Sequence, residues 1–384
     1  MNTKKLLEKV ISSFEEKYGS TPVLTFSPGR INLIGEHTDY NDGFVFPAAI
    51  DKGIVSGIQK SDSAMCSVYA LDAKTSYEFD KNDLKPLEYG TWRNYVLGVI
   101  FEVVKKHRLN SNFDIVFAGN IPSGSGLSSS AALENSIVFG LNELFNLEMT
   151  KEEMIFISQK AEHDFVQVKC GIMDQYASMF GQENAALLLD CRSLESTIFP
   201  IDFKDYDILL INSNVKHSLA DSAYNERRSV CEKVASLLGE KALRDVAESQ
   251  LESIKKDISL EEYLKALNVL EENERVLQAS KALENNDITL FGELLFASHS
   301  GLQHQYKVSC VELDFFVDKA RENSNVIGAR MMGGGFGGCT INLVLKTGLS
   351  AYKKEIKHSY KKQFSKECSF YNVALSKGVH RIKV

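Results

Sequence analysis

At 384 residues, with 44% hydrophobic and 25% charged residues, the chain has an ordinary globular composition and the length for two domains. A formal net charge of −7 argues against a nucleic-acid backbone as partner, so an anionic ligand must be met by a local positive site such as a helix N-terminus. Seven scattered cysteines without a CxxC pair, and eight histidines without HExxH, argue against a disulfide framework and a zinc site and fit a reducing compartment.

Residues 1–19 space Leu6, Leu7, Val10, Ile11 and Phe14 at helical intervals among Lys and Glu, which predicts a helix and not a secretory leader. No apolar run approaches the ~20 residues of a membrane span, so the expected setting is the cytoplasm. Residues 23–26 read as a short strand.

The stretch from Ser27 to Gly43 reads as turn-rich and crowds together Arg30, His37 and the carboxylates of Glu36, Asp39 and Asp42. Glu36, His37 and Asp39 offer donors and acceptors that suit several hydroxyls of one ligand, since each buried polar group needs a partner. Glu36-His37-x-Asp39 could also ligate a divalent ion, although no fourth ligand is evident. A solvated polar loop is the third reading, and the stretch alone does not choose.

A strand-like run at 113–117 leads into Gly124-Ser125-Gly126-Leu127-Ser128-Ser129-Ser130-Ala131. A helical pattern follows, with Leu133, Ile137, Val138, Leu141 and Phe145 on one side. Glycines let backbone approach a ligand, and the N–H groups at a helix start favour an anion. The serines can ligate Mg²⁺ or cap the helix, and both uses stay open. The loop is not a Walker A motif, because no Gly-Lys-Ser/Thr follows, and Ser129 replaces the third glycine of a dinucleotide fingerprint. Protein-kinase signatures are absent.

Glu162-His163 precedes Cys170-Gly171-Ile172-Met173-Asp174-Gln175. Asp174 suits a cap for a helix over 175–180 or a base for an acceptor hydroxyl. A strand at 186–189 precedes a boundary expected near residues 199–205, giving domains over 1–200 and 201–384. Residues 218–323 are helix-rich. Gly333-Gly334-Gly335-Phe336-Gly337-Gly338 then suits a loop that touches a ligand with its backbone, before a strand at 340–345. Strands and helices mixed in both halves predict an α+β protein.

Together these motifs resemble the galactokinases of the GHMP kinase superfamily. Gly29-Arg30-x-Asn32-Leu33-Ile34-Gly35-Glu36-His37-Thr38-Asp39-Tyr40-Asn41 is similar to the galactokinase signature. The two glycine loops are similar to the superfamily's ATP loop and third motif. Tyr224-Asn225-x-Arg227-Arg228 and Val308-Ser309-Cys310-x-Glu312-Leu313-Asp314 extend the match, and Met332 departs from it where a small or hydroxyl residue is expected.

The resemblance implies a two-domain GHMP kinase fold, S5-like then ferredoxin-like, with the site in the cleft between. It implies Asp174 as base with Arg30 beside it. Glu36, His37, Thr38, Asp39, Gly171 and Tyr224 are implied on the sugar. Gly124, Ser125, Gly126, Leu127, Ser128, Ser129 and Ser130 are implied around the ATP phosphates, Trp92 at the adenine or in simple packing, and Ser130 and Glu162 on Mg²⁺. Small molecules, galactose and ATP, are the expected partners, with no nucleic acid, membrane or obligate protein partner. A kinase for N-acetylgalactosamine or arabinose, and a catalytically silent sugar sensor, are the rivals.

Overall fold

Leu6, Val10 and Phe14 form the buried stripe of α1 (Thr3–Tyr18) in the computed structural model of the chain. The structure describes residues 3–88, 91–216 and 220–383; Met1, the start of the expected first helix, and Ser218, the start of the helix-rich stretch, lie outside them. The first half supplies β1 (Val23–Asn32), β2 (Phe44–Val45), β3 (Pro47–Ser61), β4 (Cys66–Ala70), β5 (Thr75–Phe79), α2 (Trp92–Lys106) and β6 (Asn112–Gly119). It continues with α3 (Ser129–Phe145), α4 (Lys151–Ala161), α5 (Met173–Phe180), β7 (Ala185–Asp190) and β8 (Ser196–Pro200).

The second half supplies β9 (Tyr206–Lys216), α6 (Ala220–Leu237), α7 (Glu248–Ser253), α8 (Leu260–Glu284), α9 (Ile288–His304) and α10 (Val311–Glu322). After these come β10 (Val326–Met331), β11 (Gly337–Leu345), α11 (Leu349–Phe364), β12 (Ser369–Asn372) and β13 (His380–Ile382).

The first sheet runs β13-β1-β3-β6-β4-β5, antiparallel except where β4 meets β6. Alternation along its strands separates two apolar faces. Leu24, Phe26, Val55, Val116 and Ala118 pack on α1. Ile54, Ile58, Phe113, Ile115 and Phe117 share a core with residues of α2 to α5. The second sheet, β10-β11-β9-β12, is antiparallel throughout. Its Leu209, Ile211 and Val344 pack on Phe316 of α10 and on Tyr352, Ile356 and Tyr360 of α11. A small third sheet joins β2, β7 and β8.

β8 ends at Pro200, and elements on either side of it are joined in two places. The last strand returns to the first sheet, pairing Leu24 with Ile382 and Phe26 with His380. A further core belongs to both halves, joining Ile31, Leu33 and Phe46 to Leu210, Val276, Phe291 and Ile341.

The stretch from Ser27 onward departs from the turn-rich expectation. β1 runs through Pro28 and Gly29 to Asn32, with a register shift between Pro28 and Arg30. A Cβ on Gly29 would lie 2.4 Å from the Leu127 carbonyl, so the glycine serves a close backbone approach instead of a turn.

Candidate active site

Stretches far apart in the chain meet at one cavity of about 130 Å³. Arg30 enters from β1, and Glu36, His37 and Asp39 from the loop after it. Ser130 comes from the first turn of α3, Glu162 from the end of α4, Gly171 and Asp174 from the start of α5, and Tyr224 from α6. Gly333 and Gly334 close the cavity from the loop between β10 and β11.

Arg30 is buried, with Nε and Nη2 each 2.8 Å from Asp174 Oδ1, and Nη1 donates to the Gly126 carbonyl at 2.6 Å. Burial alone would lower its pKa, but Asp174 and then Glu36 hold it above the ordinary value, so the guanidinium is charged. The other Asp174 oxygen accepts from Ser128 Oγ at 2.5 Å. The capping alternative for Asp174 gives way here: Ile172 is the cap residue of α5, no side chain caps that end, and Asp174 sits within the first turn.

The capping alternative for the serines gives way too. Ser128 precedes α3 in the left-handed region, with φ 55°, and makes no side-chain cap bond. Gly124 and Gly126 are also left-handed, at φ 68° and 71°. A Cβ on Gly126 would come within 3.2 Å of the Met332 carbonyl, and one on Gly338 within 3.3 Å of the Gly124 carbonyl. The two glycine loops therefore lie backbone to backbone, an approach that side chains would crowd.

Glu36 Oε1 accepts from the Gly333 amide at 2.8 Å and from Arg330 Nη2 at 3.0 Å. Arg330 is wholly buried and also donates to the carbonyls of Asn32, Leu33 and Met331 at 2.6, 2.8 and 2.7 Å. Sequence reasoning gave Arg330 no role. Its signal was a lone cation in the apolar strand-like run 326–332, where a buried charge needs partners.

His37 is left-handed at φ 63°, and its Nδ1 lies 2.8 Å from the Tyr40 hydroxyl, itself 2.7 Å from that of Tyr306. Its Nε2 is buried without a well-formed hydrogen bond among the described residues, and the Gly334 backbone lies against the ring. Burial, then Arg227, pushes its pKa down to about 3, leaving a neutral ring. Asp39 is held against Gly171, where a Cβ would fall 2.0 Å from Asp39 Oδ2. Burial, then Asp174, pushes the Asp39 carboxyl up to about 7. Tyr224 sets its ring 5.4 Å from His37 and 5.3 Å from Tyr40, and burial raises its phenol well above the usual range.

Next to Asp174 in the chain, Gln175 Nε2 donates to Glu162 Oε1 at 3.4 Å and to Glu134 Oε2 at 3.3 Å. Burial, then Glu162, raises the Glu134 carboxyl well above the usual carboxylate range. Ser130 and Glu162 face the same cavity. Among the described residues, no group of three or more His, Cys, Asp and Glu is arranged to hold a metal by itself.

Some expected ligand residues are not brought to this cavity. Thr38 directs its hydroxyl to the carbonyls of Gly35 and Phe44 at 3.0 and 2.7 Å, so it shapes the loop from inside. Leu127 packs its side chain in the core shared by the two halves, and its carbonyl accepts from the Arg30 amide at 3.2 Å. Ser125 bonds to the Pro122 carbonyl at 2.7 Å. Trp92 packs edge-on against Phe117, 5.4 Å between ring centres. Gly126 and Ser129 are exposed at the start of α3.

Three family models match in chain order: the galactokinase galactose-binding signature over residues 12–60, the GHMP kinases N terminal domain over 94–182, and GHMP kinases C terminal over 279–358. A galactokinase of Thermotoga petrophila is 41% identical over 356 residues, covering 93% of this chain and 99% of its own length. The chain belongs to the galactokinase family. A further galactokinase, from Clostridium beijerinckii, is 42% identical over 366 residues, 93% of this chain and 94% of that one. The crystal structure of Lactococcus lactis galactokinase complexed with galactose superimposes with a TM-score of 0.93 at 35% identity, covering 98% and 100% of the two chains. Methanococcus jannaschii mevalonate kinase, at 19% identity and a TM-score of 0.66, shares the fold. The two-domain GHMP kinase fold expected of a galactokinase is thus the fold found.

Proposed function

We infer that this chain transfers the γ-phosphoryl group of ATP to O1 of galactose, giving galactose 1-phosphate and ADP, the first step of galactose catabolism. One observation carries the reading. Arg30 and Ser128 hold the two oxygens of Asp174 at the wall of a small cavity whose other groups, Glu36, His37, Asp39 and Tyr224, match a set of sugar hydroxyls.

Asp174 accepts the proton of the anomeric hydroxyl, or fixes that hydroxyl in line with the phosphorus. Arg30 balances the carboxylate and the charge that spreads onto the transferring group. The transition state of phosphoryl transfer is loose, so placement and electrostatics outweigh proton removal. Neutral His37 presents Nε2 to a sugar hydroxyl, and Asp39 accepts from another. The uncapped first turn of α3 and the backbone of the glycine loop suit the phosphates of ATP.

Ser130 and Glu162 fit Mg²⁺, because this ion takes one or two hard protein oxygens and completes its shell with phosphate and water. When bound it neutralises charge on the β- and γ-phosphates. The reading includes a cytoplasmic setting and small-molecule partners. No helix among the described residues is long and apolar enough to cross a membrane.

A coupled ADP-release assay with ATP, Mg²⁺ and a panel of galactose, glucose, N-acetylgalactosamine, arabinose and galacturonate tests it. Turnover confined largely to galactose, with phosphate on O1 by NMR, is expected. Saturable galactose binding without turnover would leave a silent sensor in its place.

A further inference from the structure

The loop of residues 35–44 carries Glu36, His37 and Asp39, and its backbone is unfavourable on its own. Gly35, His37 and Asp42 all lie in the left-handed region, at φ 97°, 63° and 58°. For a non-glycine residue that conformation persists only where the surroundings over-determine it. The surroundings here come from the helical stretch between β9 and β10, to which the catalytic reading gives little beyond Tyr224.

Consecutive residues of α8 hold the two ends of the loop. Glu272 Oε1 accepts from the Gly35 amide at 3.0 Å, and Asn273 Oδ1 accepts from the Phe44 amide at 2.9 Å. Glu272 is itself fixed, accepting from Ser298 Oγ at 2.6 Å and from Arg275 Nε at 2.7 Å, and it is wholly buried. The fit is close. A Cβ on Gly35 would lie 2.7 Å from Val276 Cγ2, and one on Gly43 would lie 2.3 Å from Asn273 Oδ1. A third point lies just before α7, where Arg244 donates to the Asp42 carbonyl at 2.9 Å.

We propose that Glu272 and Asn273 of α8 are positioning residues for sugar binding, fixing both ends of the loop that presents Glu36, His37 and Asp39. The proposal rests on the sugar-kinase reading for its kinetic consequence, but not for the clamp itself. The residues touch no substrate; they act through the Gly35 and Phe44 amides. An acceptor at each end keeps the left-handed backbone in one conformation, so the free protein is already shaped for the ligand.

The test uses the full chain with Asn273→Ala, Asn273→Asp and Glu272→Gln. Asn273→Asp keeps an acceptor for the Phe44 amide, and Asn273→Ala removes it. The expected result for Asn273→Ala is a galactose KM raised by about tenfold, the effect of leaving one half-buried donor unpaired, with kcat and the KM for ATP within about twofold. Asn273→Asp should restore most of that loss, and Glu272→Gln, which keeps the Gly35 acceptor but weakens its Arg275 anchor, should fall between.

Hydrogen exchange supplies a readout free of substrate. Asn273→Ala should speed exchange at residues 35–46 while protection of the β3 and β6 amides is retained, and this decides the clamp even if the wild-type protein turns over no galactose. Unchanged exchange in that segment would overturn the proposal. So would faster exchange with an unaltered galactose KM, or an equal loss in kcat and both KM values that Asn273→Asp fails to rescue.

Discussion

Ser128 donates its hydroxyl to Asp174 at 2.5 Å from a backbone held in the left-handed region. A serine just before a helix ordinarily turns its oxygen onto the first free amides. Here it turns away, so one residue both steadies the carboxylate and leaves the start of α3 without a side-chain cap.

Two substitutions separate these contributions. Asp174→Asn should lower kcat by about 10²–10⁴, the usual worth of a positioned acid or base, with galactose affinity altered only a few-fold. Ser128→Ala keeps the Arg30 pair and should cost about tenfold in kcat, the loss of one hydrogen bond to a charged group. Steady-state rates with calorimetric galactose binding check both. Near-normal turnover in Asp174→Asn would remove the base assignment.

The pH response follows from Asp39, whose carboxyl is pushed up to about 7 by burial and then by Asp174. If a sugar hydroxyl donates to its ionised form, kcat/KM for galactose should fall as pH drops below about 7. The stability of the free protein moves the other way. The folded pKa is above the unfolded value, so this group's contribution is fully present below the unfolded pKa and is lost as pH rises through about 7. Asp39→Asn should flatten both dependences, read by pH-rate profiles and by thermal unfolding across pH 5 to 8. A slope unchanged in Asp39→Asn would show that another group titrates.

Two glycines with the same backbone handedness should respond differently to alanine. Gly335 has φ 85° and its added Cβ would lie 2.1 Å from the Val308 carbonyl, whereas Gly239, at φ 76°, has nothing within 4 Å. Gly239→Ala should cost about 1 kcal/mol from backbone strain alone. Gly335→Ala adds overpacking of about 1–3 kcal/mol and should also impair turnover, because it displaces the loop whose Gly333 amide meets Glu36. Denaturant unfolding of the two variants makes the comparison; equal losses would contradict it.

Arg330 and Glu36 form a pair with almost no solvent access, at 0% and 2% side-chain exposure. Arg330→Met leaves Glu36 buried without its charge partner and should destabilise the fold by about 3–5 kcal/mol. The double variant with Glu36→Gln should recover part of that loss. An additive loss in the double variant would mean the two charges do not depend on each other.

Much of the architecture was legible because periodicity reports burial directly: Leu6, Val10 and Phe14 gave α1, and the run after Ser128 gave α3. The order of the site motifs along the chain was legible too. Pro28-Gly29 misled, since the pair signals a turn by propensity while tertiary packing draws it into β1 against Leu127. Thr38 was placed with its neighbours on the sugar because a signature read as a string cannot say which of its side chains faces inward. Arg330 offered only its lone charge in an apolar run, and Tyr306, Glu272 and Asn273 carried no local pattern. Their roles arise from contacts that span 229 to 298 residues, and single-sequence spacing does not encode such distances.

The return of β13 to β1 has a consequence for the order of events during synthesis. The strand bearing Arg30 has β3 on one side, and no strand pairs its other edge at Leu24–Phe26 until residues near 380 exist. The Gly378 and Val379 amides bond to the Gly181 and Ser178 carbonyls at 2.7 and 2.9 Å, so the end of the helix bearing Asp174 also waits for them. At ~5–20 residues per second, a nascent chain holds that open edge for on the order of half a minute. The ribosome therefore releases a first domain that is complete in its helices but not in its sheet. During that interval the unpaired edge of β1 is where a second nascent chain, or a chaperone that reads extended backbone, would find it.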